Sequence, residues 1–206
     1  MPLTIEAYYD FRSPYAYFGN HRIRQGLFVP PVPVKWLWRP VSIDVLLSLQ
    51  AGRDAWAVYS DPLSGAKRAH LLVDVRRNAA FYDIPLRAPK PPRPNSVPAL
   101  CAAALLGPEG HDDFRNALFN ALWQQQRDIS DSSVLSECLM RAGADPDLVN
   151  RVLAPEAREA LAEATKLAYA NGIFGVPTFV CNNEIFFGND RLDMLGWRLG
   201  HENARA

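Results

Sequence analysis

The sequence predicts an α/β fold whose core is a strand–helix–strand unit at the start and a strand–strand–helix unit at the end, with a large all-helical insertion between them. Three observations carry this. Apolar and polar residues alternate over the first ten positions. Helical periodicity runs from Ile43 to about Ala170. Short strand-like runs return on either side of Asn182 and Asn183. The expected division is residues 1–40 and 171–206 for the core, and 41–170 for the insertion.

The first element places Leu3, Ile5, Ala7 and Tyr9 on one side and Thr4, Glu6, Tyr8 and Asp10 on the other, the period of a strand. Ser13-Pro14 then opens a helix. Serine accepts from the free amides of a first turn, and proline fits the first helical position because its missing N–H is not needed there. This helix runs through Tyr17, Ile23 and Arg24 to Gly26. A proline-rich connection leads to a second strand, Val32 to Trp38, parallel to the first by the usual right-handed crossover.

The insertion is expected to hold helices over Ile43–Gln50, Ala66–Tyr82, Val97–Leu106, Asp112–Gln126, Val134–Ala142 and Pro155–Ala170. Four prolines between Arg87 and Asn95 exclude a helix there. Asn171-Gly172 stops the last of these helices. Thr178–Cys181 and Glu184–Phe187 read as a hairpin across Asn182-Asn183, since asparagine tolerates positive φ. Gly188-Asn189-Asp190 starts a final helix with Leu192, Leu195 and Leu199 on one face, closed by Gly200.

Composition narrows the function. With 22 basic and 22 acidic residues in 206, the chain has no net charge to attract nucleic acid or an anionic membrane. The start lacks a basic segment followed by an apolar one, and no window is apolar enough to span a bilayer, so a cytoplasmic protein is expected. Three cysteines, Cys101, Cys138 and Cys181, are odd in number and form no CxxC pair. They read as small buried apolar residues in a reducing compartment. His21, His70, His111 and His201 have no ligand spacing, so no metal is expected. No phosphate-binding glycine loop, dinucleotide fingerprint or nucleophile elbow is present.

Two places remain. Ser13 sits at a strand-to-helix junction, where capping alone explains a serine. Val176-Pro177 sits before the third strand, where proline is an edge feature or a cis bond that leaves the Val176 backbone free to pair with an extended peptide.

In order along the chain come YDFRSPYAY at Tyr9–Tyr17, Lys67 opening a long helix, YDIPL at Tyr82–Leu86 and PNSVPAL at Pro94–Leu100. Trp123 with RDIS at Arg127–Ser130, FGVPT at Phe174–Thr178 and FGNDRL at Phe187–Leu192 follow. This series resembles the thioredoxin-like group that holds periplasmic disulfide oxidoreductases and kappa-class glutathione transferases. Within that group it is most similar to the 2-hydroxychromene-2-carboxylate isomerase family. The likeness spans nearly the whole chain.

The resemblance implies a thioredoxin-like core and glutathione as cofactor, with Ser13 as the catalytic residue beside the thiol, where a redox relative carries its first cysteine. It implies that Val176 and Pro177 pair with the cysteinyl part, that Gly188, Asn189 and Asp190 hold the γ-glutamyl end, and that Lys67 contacts glutathione. Ordinary capping accounts for Asn189 and Asp190 as well, and a solvated helix lysine accounts for Lys67.

The implied reaction converts 2-hydroxychromene-2-carboxylate to trans-o-hydroxybenzylidenepyruvate in naphthalene-type aromatic catabolism, by reversible thiolate addition. Serine cannot form a mixed disulfide, which sets this chain apart from the redox relatives. The resemblance also implies a homodimer and a small aromatic carboxylate substrate. Trp36, Trp38, Phe81, Tyr82 and Trp123 are candidates for its apolar wall, and Arg39 or Arg93 for its carboxylate. The chain departs from its relatives at QAGRDAW, Gln50–Trp56, where they carry a Gly-Asn pair, and it has no match for a substrate lysine in Arg39–Val45. The alternatives are a kappa-like transferase and a non-catalytic binding module that presents Pro89–Pro94 or its aromatic surface to a protein.

Overall fold

The computed structural model describes residues 2–57, 64–106 and 111–202. The first unit is β1 (Leu3–Tyr9), α1 (Pro14–Arg24) and β2 (Val34–Pro40). Then come α2 (Ile43–Gln50), α3 (Gly65–Phe81), α4 (Val97–Leu106), α5 (His111–Trp123), α6 (Ser132–Arg141), α7 (Leu148–Val152) and α8 (Pro155–Ala170). The chain returns through β3 (Thr178–Cys181) and β4 (Glu184–Phe187) to α9 (Arg191–Glu202). The expected strand–helix–strand, helical insertion and strand–strand–helix order is therefore observed.

The four strands form one mixed sheet in the order β2-β1-β3-β4. β1 runs parallel to β2 and antiparallel to β3, which pairs antiparallel with β4. β1 is thus central and covered on both sides. On one face Ile5, Ala7 and Tyr9 join Tyr17 and Phe18 of α1, Phe119 of α5, Phe179 of β3 and Leu192, Leu195 and Leu199 of α9. On the other face Tyr8 packs with Val41, Leu46 of α2, and Ala168, Ile173 and Val176 at the end of α8 and beyond. Edge-to-face rings, Tyr9 on Phe11 at 5.3 Å and Phe11 on Phe119 at 5.0 Å, fill the junction where β1 ends and the Ser13 turn begins.

The turn chemistry follows the residues. Asn182 and Asn183 both have positive φ, at 48° and 64°, which two-residue hairpins need. Gly172, at φ 86°, ends α8 as expected. Most helix ends fall within two residues of expectation, and the departures that matter lie in β2, α5, α9 and one added helix. β2 starts at Val34 rather than Val32 and runs to Pro40, because its register is set by pairing Leu3 with Val34 and Tyr9 with Pro40. α5 stops at Trp123 rather than Gln126, which takes φ 57° and leaves the helix. α9 passes through Gly200 to Glu202, and Gly200 lies against Pro31 instead of capping the helix. The five-residue α7 was not expected, being too short for a clear period. Cys101, Cys138 and Cys181 are buried and in no disulfide, as the composition suggested. Burial pushes the Cys101 thiol up to about 11.

Candidate active site

Ser13 is the N-cap of α1. Its backbone is extended, and its Oγ accepts from the Ala16 amide at 3.2 Å. The same hydroxyl donates to the Val176 carbonyl at 3.3 Å, across 163 residues of sequence. Pro14 has no amide to offer. Among the described residues, no hydrogen bond engages the amides of Tyr15 or Val176. The first turn of α1 contains no acidic residue, so the positive end of the helix is not neutralised there. A hydroxyl, free amides and a helix N-terminus therefore converge at Ser13.

The turn that presents Ser13 is fixed from behind by Asp10, which is fully buried. Asp10 Oδ1 accepts from the Arg12 amide and Oδ2 from the Ile43 amide, both at 2.9 Å, and Ser96 adds a side-chain bond. The Asp10 carbonyl accepts from the Ser13 amide at 3.1 Å. One carboxylate thus ties the end of β1 to the starts of α2 and α4. Burial holds its pKa above the usual 3.8, against the pull of Arg12 and these hydrogen bonds. The folded protein then binds a proton more readily than the unfolded chain, so this residue's contribution to stability falls as pH rises from about 3.8 through its folded pKa and is flat above it. A carbon-detected NMR titration of the Asp10 carboxyl is expected to show its midpoint above 3.8; a midpoint below that would contradict the assignment of burial as the dominant cause.

The Val176–Pro177 bond is cis. The loop is held from two sides, since the Pro177 carbonyl accepts from the Gly188 amide at 2.9 Å and Gln50 Nε2 donates to the Phe174 carbonyl at 2.8 Å. Gly188 has φ 111°, and a Cβ there would lie 2.5 Å from Asp190 Oδ1. The positive φ is what calls for glycine here, since the exposed Asp190 side chain could swing away from a Cβ.

Asn189 is buried; its carbonyl accepts from Arg22 Nη1, and its Nδ2 donates to Asn78 Oδ1 at 3.2 Å. Arg22, itself buried, also reaches Asp193 at 2.7 Å and lays its guanidinium 4.2 Å from the Tyr82 ring centre. Gly19, in the middle of α1, lets these parts meet. A Cβ there would be 3.2 Å from Phe179, 3.7 Å from Pro177 and 3.9 Å from Asn189.

Of the residues singled out from sequence, Ser13, Val176, Pro177, Gly188 and Asn189 are thus joined by direct contacts or through one neighbour. Asp190 is exposed, with Arg191 at 3.6 Å as its cation. Lys67 is exposed in the first turn of α3, where Ser64 caps its amide, and no ion pair engages it among the described residues. It shares a helix face with Asp74, two turns on, which accepts from Tyr15 Oη at 2.6 Å. Tyr15, Gly19, Arg22, Asp74 and Asn78 were not singled out as site residues. Tyr15 stood inside the YDFRSPYAY motif without a role, and a glycine inside a helix, such as Gly19, is a signal that could have been used.

The five aromatic candidates do not form one wall. Trp123 stacks on Tyr17 and donates to the Phe11 carbonyl at 2.9 Å. Trp38 lies under the Arg115 guanidinium at 3.8 Å, Trp36 packs on Phe28 and Phe179, and Phe81 is exposed. Arg39 pairs with Glu6 at 2.9 Å, and Arg93 is exposed in the proline-rich loop. Two clefts, of about 670 and 630 Å³, open beside β2 and α8 and along the C-terminal half of α1; neither is lined by Ser13. Burial and hydrogen bonding, rather than a cleft, mark the candidate site.

The family model of the DSBA-like thioredoxin domain matches residues 4–200. The chain is 29% identical to a 2-hydroxychromene-2-carboxylate isomerase of Sphingobium xenophagum, over 95% of this chain and 97% of that protein. It is 23% identical to glutathione S-transferase kappa 1 of Rattus norvegicus, over 98% and 92% of the two chains. A solved structure of 2-hydroxychromene-2-carboxylate isomerase superposes with a TM-score of 0.80 at 26% identity, covering 98% of each chain. The resemblance drawn from the short motifs is borne out over the whole length.

Proposed function

This chain belongs to the DSBA-like thioredoxin domain family, and from that premise we propose that it is a glutathione-dependent isomerase of 2-hydroxychromene-2-carboxylate, yielding trans-o-hydroxybenzylidenepyruvate in aromatic catabolism. The observation that carries the reading is the Ser13 hydroxyl at an unneutralised helix N-terminus, paired with the Val176 carbonyl.

The donor set fits a γ-glutamyl tripeptide. The free Val176 amide and its carbonyl suit the cysteinyl backbone, as a strand edge would. Asp190 suits the γ-glutamyl ammonium, the start of α9 suits its carboxylate, and the exposed Lys67 ammonium suits a glycyl carboxylate. When bound, glutathione supplies a thiolate that adds reversibly to the conjugated double bond, so that rotation about it becomes free. With glutathione bound, Ser13 would donate its hydroxyl proton to the sulfur anion in place of the Val176 carbonyl. The α1 amides add a positive field worth about 0.3–1 kcal/mol, up to ~2 when partly buried. Asp10 keeps the turn rigid, so only the hydroxyl proton, and not the backbone that carries it, has to reorient.

The kappa transferase relative supports a second reading, conjugation with release of the adduct. An assay with stoichiometric glutathione separates the two. Isomerase activity should leave the free thiol unchanged after many turnovers, whereas its consumption in step with product would replace this proposal by the transferase. A homodimer is part of the proposal and is checked by light scattering.

A further inference from the structure

We propose that Asp74 and Asn78 of α3 are positioning residues that set the spacing between the thiol end and the γ-glutamyl end of this site; the inference rests on the glutathione reading above. The two lie four residues apart on one helix face, about 6 Å along the axis. Asp74 Oδ2 accepts from Tyr15 Oη at 2.6 Å, and Tyr15 follows Ser13 by two residues. Asn78 Nδ2 donates to the same oxygen at 3.2 Å and to the Asp74 carbonyl at 3.0 Å. Asn78 Oδ1 accepts from Asn189 Nδ2 at 3.2 Å.

The chain of bonds has a single direction. Asp74 accepts twice, which fixes the Asn78 amide with its donor toward Asp74 and its oxygen toward Asn189. A flipped amide would set donor against donor. Because Arg22 already holds the Asn189 carbonyl, the Asn189 side chain is held by α3 and its backbone by α1. The start of α1 and the segment before α9 come from opposite ends of the sequence. Between them runs a rigid helix of the insertion, touching both through these two side chains. Asp74 is half-buried, and burial, with the adjoining Asp74 carboxylate, keeps the Tyr15 hydroxyl protonated and so a donor to Asp74.

The test measures calorimetric Kd values for glutathione and for cysteinylglycine, which lacks the γ-glutamyl group. Asn78→Ala favours the helix it sits in, and Tyr15→Phe removes one atom, so both should fold. In Asn78→Ala, glutathione is expected to bind about tenfold more weakly and cysteinylglycine within about twofold of the original protein. Asp74→Asn keeps the acceptor for Tyr15 and should bind glutathione within about threefold. Tyr15→Phe combined with Asn78→Ala should be no weaker than the worse single variant, since both break one chain of bonds. Equal loss for both ligands, no loss for either, or strictly additive effects would each overturn the inference while leaving the glutathione reading intact. Failure of the unaltered protein to bind glutathione would instead overturn that reading, and this inference with it.

Discussion

Replacing Ser13 with alanine should lower kcat/KM by about 10²–10³-fold, the cost of one donor aimed at a developing anion, and should also cost about 0.5–2 kcal/mol of stability, because the N-cap of α1 is lost. Magnitudes decide which feature dominates at this turn. The donor is worth about 2.7–4 kcal/mol by that comparison, against ~0.3–2 kcal/mol for the helix end. Removing the hydroxyl should therefore lose more than the remaining dipole retains. Alanine also leaves the buried Val176 carbonyl without this partner, which adds to the loss of stability. The acid limb of the pH profile should move up toward a free thiol, near ~8.5, because the thiolate has lost its main stabiliser. A Ser13→Ala enzyme with an unchanged profile and rate would remove the serine from the mechanism. Steady-state kinetics across pH provide the check.

Enlarging Gly19 to leucine should lose both stability and activity. A Cβ alone at this position approaches Phe179 to 3.2 Å, tight but relievable by a small shift. Alanine also gains about 0.8–1 kcal/mol of helix propensity over glycine, so Gly19→Ala is expected to be close to neutral. Leucine adds three further carbons to a site closed by Phe179, Pro177 and Asn189. Overpacking of this kind costs about 1–3 kcal/mol or more. Here the displaced parts are α1, the Pro177 loop and the segment before α9, so the loss of kcat/KM should exceed what partial unfolding explains. Denaturant melts and kinetics on the folded fraction separate the two effects. A leucine variant with an unaltered KM for glutathione would show that this packing does not shape the site.

Periodicity and turn residues made most of the fold legible. Alternation located β1, Asn182-Asn183 located the hairpin, and the prolines between Arg87 and Asn95 marked a loop that is indeed non-helical. The extent of β2 was not legible, because it is set by a partner thirty residues away. The last helix looked closed at Gly200, yet it continues to Glu202, because a single glycine is tolerated inside a helix as well as after one. In the candidate site, Ser13 and Val176-Pro177 were visible because each carries a local backbone signal. Asp74 and Asn78 were not, because a polar pair on an amphipathic helix reads as solvated surface until the helix is seen to lie beside Tyr15 and Asn189. Asp10 looked like the end of a strand; its three hydrogen-bond donors come from segments far apart in sequence.

The central claim is that Ser13 and the start of α1 hold a glutathione thiolate. The ultraviolet absorbance of the thiolate, titrated in the complex of this protein with glutathione, tests it most directly. The expected result is a bound-thiol pKa well below the free value of ~8.5, returning toward it in Ser13→Ala. A bound thiol that titrates at its free value in the unaltered protein would contradict the account.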